Sequence, residues 1–378
     1  MEKPSDKHSL RKTPYWMQAQ SHPLSLDQIA QKSEDECRDF LAHMRWGSSG
    51  LQTCPACGTI DHHYRIRTRN QWRCKSKGCS HTFSVLSGTP FENAKMGYRR
   101  LLMAMFTFIV NQKGISALAL SRIIGGQYRT SYTFMHKIRE VLIRELDSVN
   151  FQKLTGIVEI DGAHISGRIR KPRKASTPKP EDKTEVPKKY RTKEAQAVGQ
   201  HRDKVDPSAN PHHPNRRVAL VFRQIATKGM RRGSDRTITM IVPSENKEDI
   251  NALVKRFVEP GSTIRTDELP GYKHLVGEGY IHETVNHSKE FSTDEGVNQN
   301  QAESYFARFR RAIIGQYHRV TPKYMHDYAQ EIAWREDVRR INTLDQMRAL
   351  GKKVLNSGVS IDWFNYGRKG FGRTAVFV

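Results

Sequence analysis

Apolar residues recur at helical spacing through much of the first half of the chain. Between residues 97 and 146 they predict three helices, "GYRRLLMAMFTFIVNQ", "SALALSRII" and "TSYTFMHKIREVLIREL". The turn "GGQ" at 125–127 joins the second helix to the third. This order is typical of a helix-turn-helix region, although any three-helix bundle can also produce it. Another helix is predicted earlier, from Leu26 to about Met44, with Ser25 as its N-cap.

The period of the pattern changes to two after Gly156, which indicates strands. Four strands are predicted, at "GIVEID" (156–161), "RVALVFRQI" (217–225), "RTITMIVP" (236–243) and "STIRTD" (262–267). Helices are predicted at about 247–258, 300–314 and 322–340. This order favours an α/β domain with a mixed sheet and flanking helices.

Residues 168–217 interrupt this pattern. They contain 15 Lys and Arg, 6 acids and 7 of the 16 prolines of the chain, with a single aromatic residue, so they cannot build a core. We predict a basic, Pro-rich insertion in the α/β domain. It is either a solvated spacer or a basic arm that lies along phosphates.

The charge balance bears on the partner. The chain of 378 residues has 63 Lys and Arg against 39 Asp and Glu, a formal net charge of +24, which favours a polyanion and first of all nucleic acid. Its most apolar stretch, "LLMAMFTFIV" (101–110), has half the length needed to span a bilayer. No secretory signal is found, and five cysteines in such a chain indicate a reducing compartment. We expect a cytoplasmic, nucleoid-associated protein with no membrane contact and no small-molecule substrate.

Four of the five cysteines form the strongest local motif. Cys54, Cys57, Cys74 and Cys79 have the spacing C-x2-C-x16-C-x4-C. Two such thiolate pairs, separated by a loop of hairpin length, can surround one Zn²⁺ tetrahedrally in a closed, structural site. His62, His63 and His81 are nearby alternatives as ligands, and Cys37 is predicted to be a buried free thiol.

Three acids stand where predicted elements can bring carboxylates together. Asp161 ends the first predicted strand, Asp267 ends the fourth, and Glu303 lies near the start of a later helix. Carboxylates from three such elements can hold two Mg²⁺ ions, of which one activates an attacking oxygen and one stabilises the leaving oxygen in phosphoryl transfer. Each Asp also has a simpler interpretation as a turn cap. Glu303 has no cation among its close helical neighbours, so a local salt bridge does not explain it.

Five longer segments, taken together and in their order along the chain, resemble one known protein family. The first is "FSVLSGTPFENAKMGYRRLLMAMFTFIVNQKGISALALSRIIG", and four others follow in order: "VEIDGAHISG", "RTDELPGY", "ETVNHSKEF" and "NQAESYFARFRRAIIGQYHRV". The first resembles the zinc-ribbon and helix-turn-helix region of the ISXO-type DDE transposases, a family of bacterial insertion-sequence transposases, and the others resemble the catalytic blocks of that family. The resemblance runs from about Cys54 to Arg340, most of the chain.

The resemblance implies a ribonuclease-H-like catalytic domain in which Asp161, Asp267 and Glu303 form the triad that binds Mg²⁺ or Mn²⁺. It also implies that an oligomer on double-stranded DNA hydrolyses a phosphodiester at each end of the element. The same metal site would then join the freed 3′ hydroxyls to target DNA.

The N-terminal region is implied to recognise the terminal inverted repeats. The predicted contacts with DNA are the cations Arg122, Arg129, Lys137 and Arg139, each of which could equally lie on a solvated helix surface. Arg310 is a further predicted contact, because it stands where the family usually has Lys and its guanidinium can bind a phosphate in a bidentate manner. Two other positions depart from the family: Gly162 replaces an acid, and "NQN" (298–300) replaces His-x-Asn.

These observations divide the chain into five predicted parts: a leading segment (1–50), a zinc ribbon (51–92), a helix-turn-helix-like region (93–150), a catalytic domain (155–345) with the insertion 168–217, and a tail (346–378). The predicted function is that of an insertion-sequence transposase. Two alternatives are a ribonuclease-H-like nuclease that cuts without joining and a DNA-binding regulator, derived from a transposase, that has lost catalysis.

Overall fold

The first part of the chain is mainly helical, and the second part combines a large sheet with helices. The computed structural model describes residues 15–47, 51–166, 216–226, 233–243, 245–267, 270–284, 300–364 and 366. The helices are α1 Leu26–Gln31, α2 Glu34–Trp46, α3 Tyr98–Val110, α4 Ala117–Ile124, α5 Tyr128–Arg144, α6 Lys247–Phe257, α7 Asn300–Ala312, α8 Met325–Val338 and α9 Thr343–Leu355. The strands are β1 His63–Ile66, β2 Gln71–Cys74, β3 Thr82–Phe83, β4 Ile157–Ser166, β5 Arg216–Ile225, β6 Ser234–Val242, β7 Thr263–Thr266 and β8 Ile281–Thr284.

The chain divides into two compact units. The first is built from residues up to Phe151 and from Gln330 onward, and the second is built from Gln152–Ala329. The boundary between the units near residue 151 lies close to the predicted start of the catalytic domain at 155. The second boundary, between Ala329 and Gln330, falls inside α8, whereas the predicted end of the catalytic domain is residue 345.

The first unit combines a three-stranded antiparallel sheet, in the order β1-β2-β3, with helices around one apolar core. α3 supplies much of this core, because nearly every side chain from Leu101 to Ile109 is buried. α4 ends at Gly125, whose φ of +64° lies in the left-handed region that glycine adopts without strain, and α5 begins three residues later. The predicted helix-turn-helix order is therefore present.

Two features of the first unit differ from the sequence analysis. The predicted single helix at 26–44 is two helices, because Ser33 caps the start of α2 with a full capping box and interrupts the run. The predicted tail contains α9, which packs closely on α2: a Cβ at Gly351 would lie 2.4 Å from the Sδ atom of Met44.

The second unit contains a five-stranded mixed sheet in the order β6-β5-β4-β7-β8. The strands β6, β5 and β4 pair antiparallel, whereas β7 and β8 add in parallel to β4. The predicted ribonuclease-H-like α/β class, with a mixed sheet and flanking helices behind a zinc ribbon and a helix-turn-helix-like region, is confirmed. The stretch near 280 is a further strand, β8, which the sequence analysis did not assign.

The two faces of this sheet carry different residues. Ile160 and Phe222 are register partners on β4 and β5, and Phe222 packs on Phe257 of α6. Residues alternate between faces along a strand, so Glu159 and Asp161 point to the opposite face. Helix α7 covers that face, since backbone N–H groups of its first turn bond to Glu159.

Several predicted features lie outside the described residues. They include almost all of the insertion 168–217, the residues Asn298 and Gln299, and most of the chain beyond residue 364. Within the described part of the chain, no helix combines the length and the apolar character needed to cross a bilayer.

Candidate zinc and carboxylate sites

The four motif cysteines lie together in the first unit. Their Sγ atoms are all within 4.8 Å of one another, with 3.8 Å between Cys54 and Cys79 and 3.6 Å between Cys57 and Cys74. Tetrahedral Zn–S bonds of about 2.3 Å place the sulfurs about 3.8 Å apart. The observed spacing fits a structural zinc ion held by these four residues.

The protonation of these thiols supports the same assignment. Hydrogen bonds with the side chain and backbone of Thr59 lower the pKa of Cys57 to about 6. The backbone of His81 acts to lower the pKa of Cys79, but the Cys57 thiol and burial outweigh it and raise that pKa to about 12. Cys57 therefore ionises readily whereas Cys79 resists ionisation, and a divalent cation is the natural means of stabilising thiolates here.

The nearby histidines make other contacts. His63 bonds to the carbonyl oxygen of Gln52 at 2.9 Å and packs edge-on against Phe83, with 5.0 Å between ring centres. His81 stacks against the same ring, with 6.5 Å between ring centres. Among the described residues the metal-ligating group contains cysteines alone. Cys37 is a buried free thiol, as predicted.

The cations predicted to contact DNA occupy different environments. Arg122 and Arg129 are exposed, on α4 and in the first turn of α5. Lys137 is half-buried, and burial lowers its pKa. Arg310 is exposed on α7, with its guanidinium 5.8 Å from the ring centre of Phe306.

Arg139 does not fit a contact with DNA, because it is fully buried. Its Nε donates to Glu331 Oε2 at 2.6 Å, and the other carboxylate oxygen accepts from Arg335. Burial alone would raise the pKa of Glu331, but the two guanidinium groups hold it below its ordinary value. Arg139 thus belongs to the core of the first unit. The sequence does not distinguish it from Arg122, since both occupy helices with the same spacing of apolar residues.

The sheet places Asp161 and Asp267 on neighbouring strands. The last register pair of the parallel strands β4 and β7 is Glu159 with Arg265, and the two acids stand two residues further along each strand. Adjacent strands are about 4.8 Å apart, so both positions lie at the same end of this strand pair, with Asp267 one residue beyond the end of β7. Asp161 was predicted to end its strand, and this was wrong, because β4 continues to Ser166 along β5.

Glu303 is exposed on α7, the helix that covers this face. The Oε2 atom of Glu159 accepts from the backbone N–H groups of Gln301 at 2.9 Å and Ala302 at 3.0 Å. These donors belong to the first turn of the helix, where no intrahelical acceptor exists. Glu159 therefore fixes the start of the helix that carries Glu303 onto the strand that carries Asp161.

A row of charged residues crosses the sheet at this level. Arg223 on β5 and Arg265 on β7 are the register partners of Glu159. Arg223 donates to the carbonyl oxygen of Gln301 at 2.5 Å, and Arg265 pairs with Glu283 of β8 at 2.7 Å. Burial raises the pKa of Glu159 to about 7 despite the two backbone hydrogen bonds and the two arginines. The sequence analysis missed this role of Glu159, although an acid inside the apolar run "VEID" was a signal for it.

The donor set suits Mg²⁺ or Mn²⁺, which prefer carboxylate oxygens. The charges of Asp161 and Asp267 both act on the buried Tyr272, whose pKa is raised by burial and then by these acids and Glu245. Within the described residues the acids are not gathered as tightly as the cysteines, since only the cysteines share mutual distances within 4.8 Å. Two ions about 3.5–4 Å apart, held from three elements, do not require such a cluster.

Comparisons with known proteins agree with this architecture, and the families that the chain matches are transposase families. Residues 153–337 match the family described as the ISXO2-like transposase domain, and residues 32–82 match the transposase zinc-ribbon domain. Together the two matches cover more than half of the chain. The chain belongs to the ISXO-type family of transposases that the sequence motifs resemble.

Two individual proteins are also similar. An uncharacterized protein in transposable element ISH50 of Halobacterium salinarum is 28% identical over 140 residues, which is 36% of this chain. The match spans 44% of that relative, less than half of its length. A crystal structure of a pre-cleavage Mos1 transpososome aligns over 68% of this chain and 78% of its own, with 8% identity and a TM-score of 0.16, a likeness too weak to support an argument.

Proposed function

We propose that this transposase cuts and joins DNA with Asp161, Asp267 and Glu303 as its catalytic carboxylates. The main support is the connection through Glu159, because it holds the start of α7 against β4 with the neighbouring β7 alongside. On this proposal, three acids from three elements act together on one face of the sheet.

In this function the three carboxylates bind the divalent ions and fix their position. The ions, when bound, supply activation of the attacking oxygen and stabilisation of the leaving oxygen. Arg310 lies two helical turns beyond Glu303 and is exposed, so it can bind a DNA phosphate near the acids.

DNA ends are proposed to bind the first unit through the ribbon and the α4–α5 region. Arg122 and Arg129 support this assignment, because both are exposed next to the turn between the two helices. Contacts of this kind give affinity that falls steeply with salt. We propose that the transposase acts as a homo-oligomer on its DNA ends.

The test uses the purified full chain, Mg²⁺ or Mn²⁺, and a labelled duplex that carries the element's terminal inverted repeat. The wild type is expected to cleave at the end and to join it to target DNA. Asp161→Asn is expected to bind the duplex with unchanged affinity and to give no cleavage, because it removes a metal-binding charge and no DNA contact. Asp235→Asn, an exposed acid on β6, is the matched control and should cleave normally.

Other outcomes separate the alternatives. Cleavage without joined products would favour a nuclease, and binding by a wild type that never cleaves would favour a regulator. Retained cleavage by the Asp161→Asn variant would remove that residue from the site.

A further inference from the structure

A cavity of about 590 Å³ lies in the first unit, where residues 91–96, the start of α3, the turn before α5 and the first half of α5 meet. Ligand pockets in proteins have volumes of about 300–1,000 Å³. The buried part of its wall is mainly apolar and includes Phe91, Leu101, Ile124 and Phe134. The rings of Phe91 and Phe134 stack with 5.1 Å between their centres. The cavity therefore has room for a ligand and an apolar surface to receive it.

The rim of this cavity is cationic. Lys95, Arg100 and Arg129 are exposed where they line it, and Lys137 lines it half-buried. The described residues of the lining include no acid, and none of these four cations forms an ion pair with a described residue. A concave surface with charges of one sign concentrates ligands of the opposite sign. The ligand that this charge favours is an anion.

Lys137 has the strongest need for such a ligand. Burial lowers its pKa, and the charge of Glu140, one turn further along α5, acts to raise it. The carboxylate of Glu140, however, accepts hydrogen bonds from the Ser360 hydroxyl and the Ile361 amide. An anion in the cavity would offset the hydration that Lys137 has lost.

Two polar features of α5 favour an anion at the same place. Ser131 is fully buried and lines the cavity, and its hydroxyl has no hydrogen-bond partner among the described residues. Gln127, the N-cap of α5, also lines the cavity but makes no side-chain hydrogen bond to the first turn, which contains no acid. The amides at the start of a helix and its dipole favour phosphate groups.

A nucleotide combines the two properties that this cavity requires, a flat apolar base and an anionic phosphate. Taking a base out of a duplex costs stacking and pairing energy, which is least for a nucleotide that is already unpaired. We propose that the cavity binds one unpaired nucleotide of the DNA end, with its base on the apolar wall and its phosphate among the four cations. This inference rests on the binding of DNA by the first unit proposed above, and it adds a site for a single base.

The experiment measures binding of two labelled hexamers to the full-length protein by fluorescence anisotropy. One hexamer is a chain of abasic deoxyribose phosphates, and the other carries a single thymine base in its middle. Both have the same phosphates, so the ratio of their dissociation constants reports on the base alone. The thymine hexamer should bind about 5- to 150-fold tighter, and equal affinities would overturn the proposal.

Ala94→Trp tests the place of the base, because Ala94 is exposed on the rim and a larger side chain there fills the cavity without a change of charge. It should abolish the preference for the thymine hexamer. Asn150→Trp is the matched control, since it adds the same bulk at an exposed position outside the lining and should keep the preference. A preserved preference in Ala94→Trp would refute the assignment of the base to this cavity.

Lys137→Gln tests the place of the phosphate. It should weaken binding of both hexamers and reduce the slope of log affinity against log salt by about 0.7, the value for one phosphate of a single strand. Lys113→Gln removes an exposed cation outside the lining and should change neither quantity. Equal effects of the two variants would show an effect of net charge alone and would overturn the role of Lys137. Thermal melting of each variant establishes that it is folded.

The duplex with the terminal inverted repeat separates this inference from the function beneath it. If the wild type binds the duplex but does not distinguish the hexamers, the nucleotide site is refuted and DNA binding stands. If it binds neither the duplex nor the hexamers, the proposed function fails as well. Thymidine 5′-monophosphate serves as a competitor, and tighter binding of it than of the thymine hexamer would assign the cavity to a free nucleotide and overturn the assignment to DNA.

Discussion

The hydrogen bonds of Glu159 give the most direct test of how this fold positions Glu303. Glu159→Ala removes the only described acceptor of the Gln301 and Ala302 amides. Hydrogen bonds to charged groups contribute about 1.5–3 kcal/mol each, which sets an upper limit of roughly 3–6 kcal/mol for the pair. Burial disfavours the charged form of Glu159, as its raised pKa of about 7 indicates, so we expect a net loss of about 2–3 kcal/mol.

Hydrogen exchange of these two amides is the appropriate assay. Unfolding of the whole chain reports on both compact units together, whereas exchange reports on single residues. The expected loss corresponds to exchange about 30- to 150-fold faster at Gln301 and Ala302. Amides deeper in α7, such as that of Phe309, have intrahelical acceptors, so their exchange rates should change much less.

Two further variants complete the design. Glu159→Gln keeps an oxygen acceptor without the cost of burying a charge, so its effect should be about 1 kcal/mol or less. Glu283→Gln changes the acid at the far end of the same row, which pairs with Arg265, and should leave both amides protected. The reasoning fails if Glu159→Ala leaves Gln301 and Ala302 protected, or if Glu159→Gln exposes them to the same extent.

Four other expectations concern the first unit. Cys74→Ser should lose about one equivalent of zinc per chain by mass spectrometry of the metal, whereas Cys37→Ala should keep it, because only the former removes a ligand. Arg139→Met should lower stability by about 3–5 kcal/mol in denaturant, since it leaves a buried carboxylate short of one cation, and a neutral result would contradict the buried pair. Arg122→Ala should leave melting unchanged and reduce the salt dependence of DNA binding by about one phosphate contact; an unchanged slope would remove this residue from the interface. Burial and then the charge of Arg139 hold the pKa of His136 well below its ordinary value, so on acidification the unfolded chain binds the proton before the folded chain does. As the pH decreases from about 6.5, the free energy of unfolding should therefore decrease by up to ~1.4 kcal/mol per pH unit, and His136→Phe should flatten this dependence.

The periodicity of the sequence was sufficient to predict most elements of the sheet. The four predicted strands all exist, because their apolar residues alternate or run continuously on a buried surface. β8 was missed since its four residues are exposed or half-buried, with Ile281 largely exposed at the edge of the sheet, and so carry little pattern. α9 was missed although its signals were present: Asn342 caps its start, and Met347, Leu350 and Val354 have helical spacing.

Burial of charged residues was harder to predict, because it depends on what covers a helix face or a sheet face. Arg139 and Arg122 look alike along the chain, yet the acid that neutralises Arg139 comes from α8, 192 residues later. Glu159 is buried because the first turn of α7 covers it, more than 140 residues away. The cysteine cluster was predictable by contrast, since both of its pairs are set by local spacing.

The glycine at position 162 departs from the family pattern, and it lies beside an acid that is distant in the sequence. The family usually has an acid after its first catalytic Asp, and this chain has Gly162. In the structure the space beside that glycine holds the carboxyl group of Glu245, more than 80 residues further along. Negative charge therefore remains beside β4, although it comes from the segment before α6 and lies on the face of the strand opposite to the Asp161 side chain. A side chain at 162 and the carboxylate of Glu245 exclude each other sterically, so the two positions should vary together: a chain with an acid at 162 should place a smaller or differently oriented residue at 245.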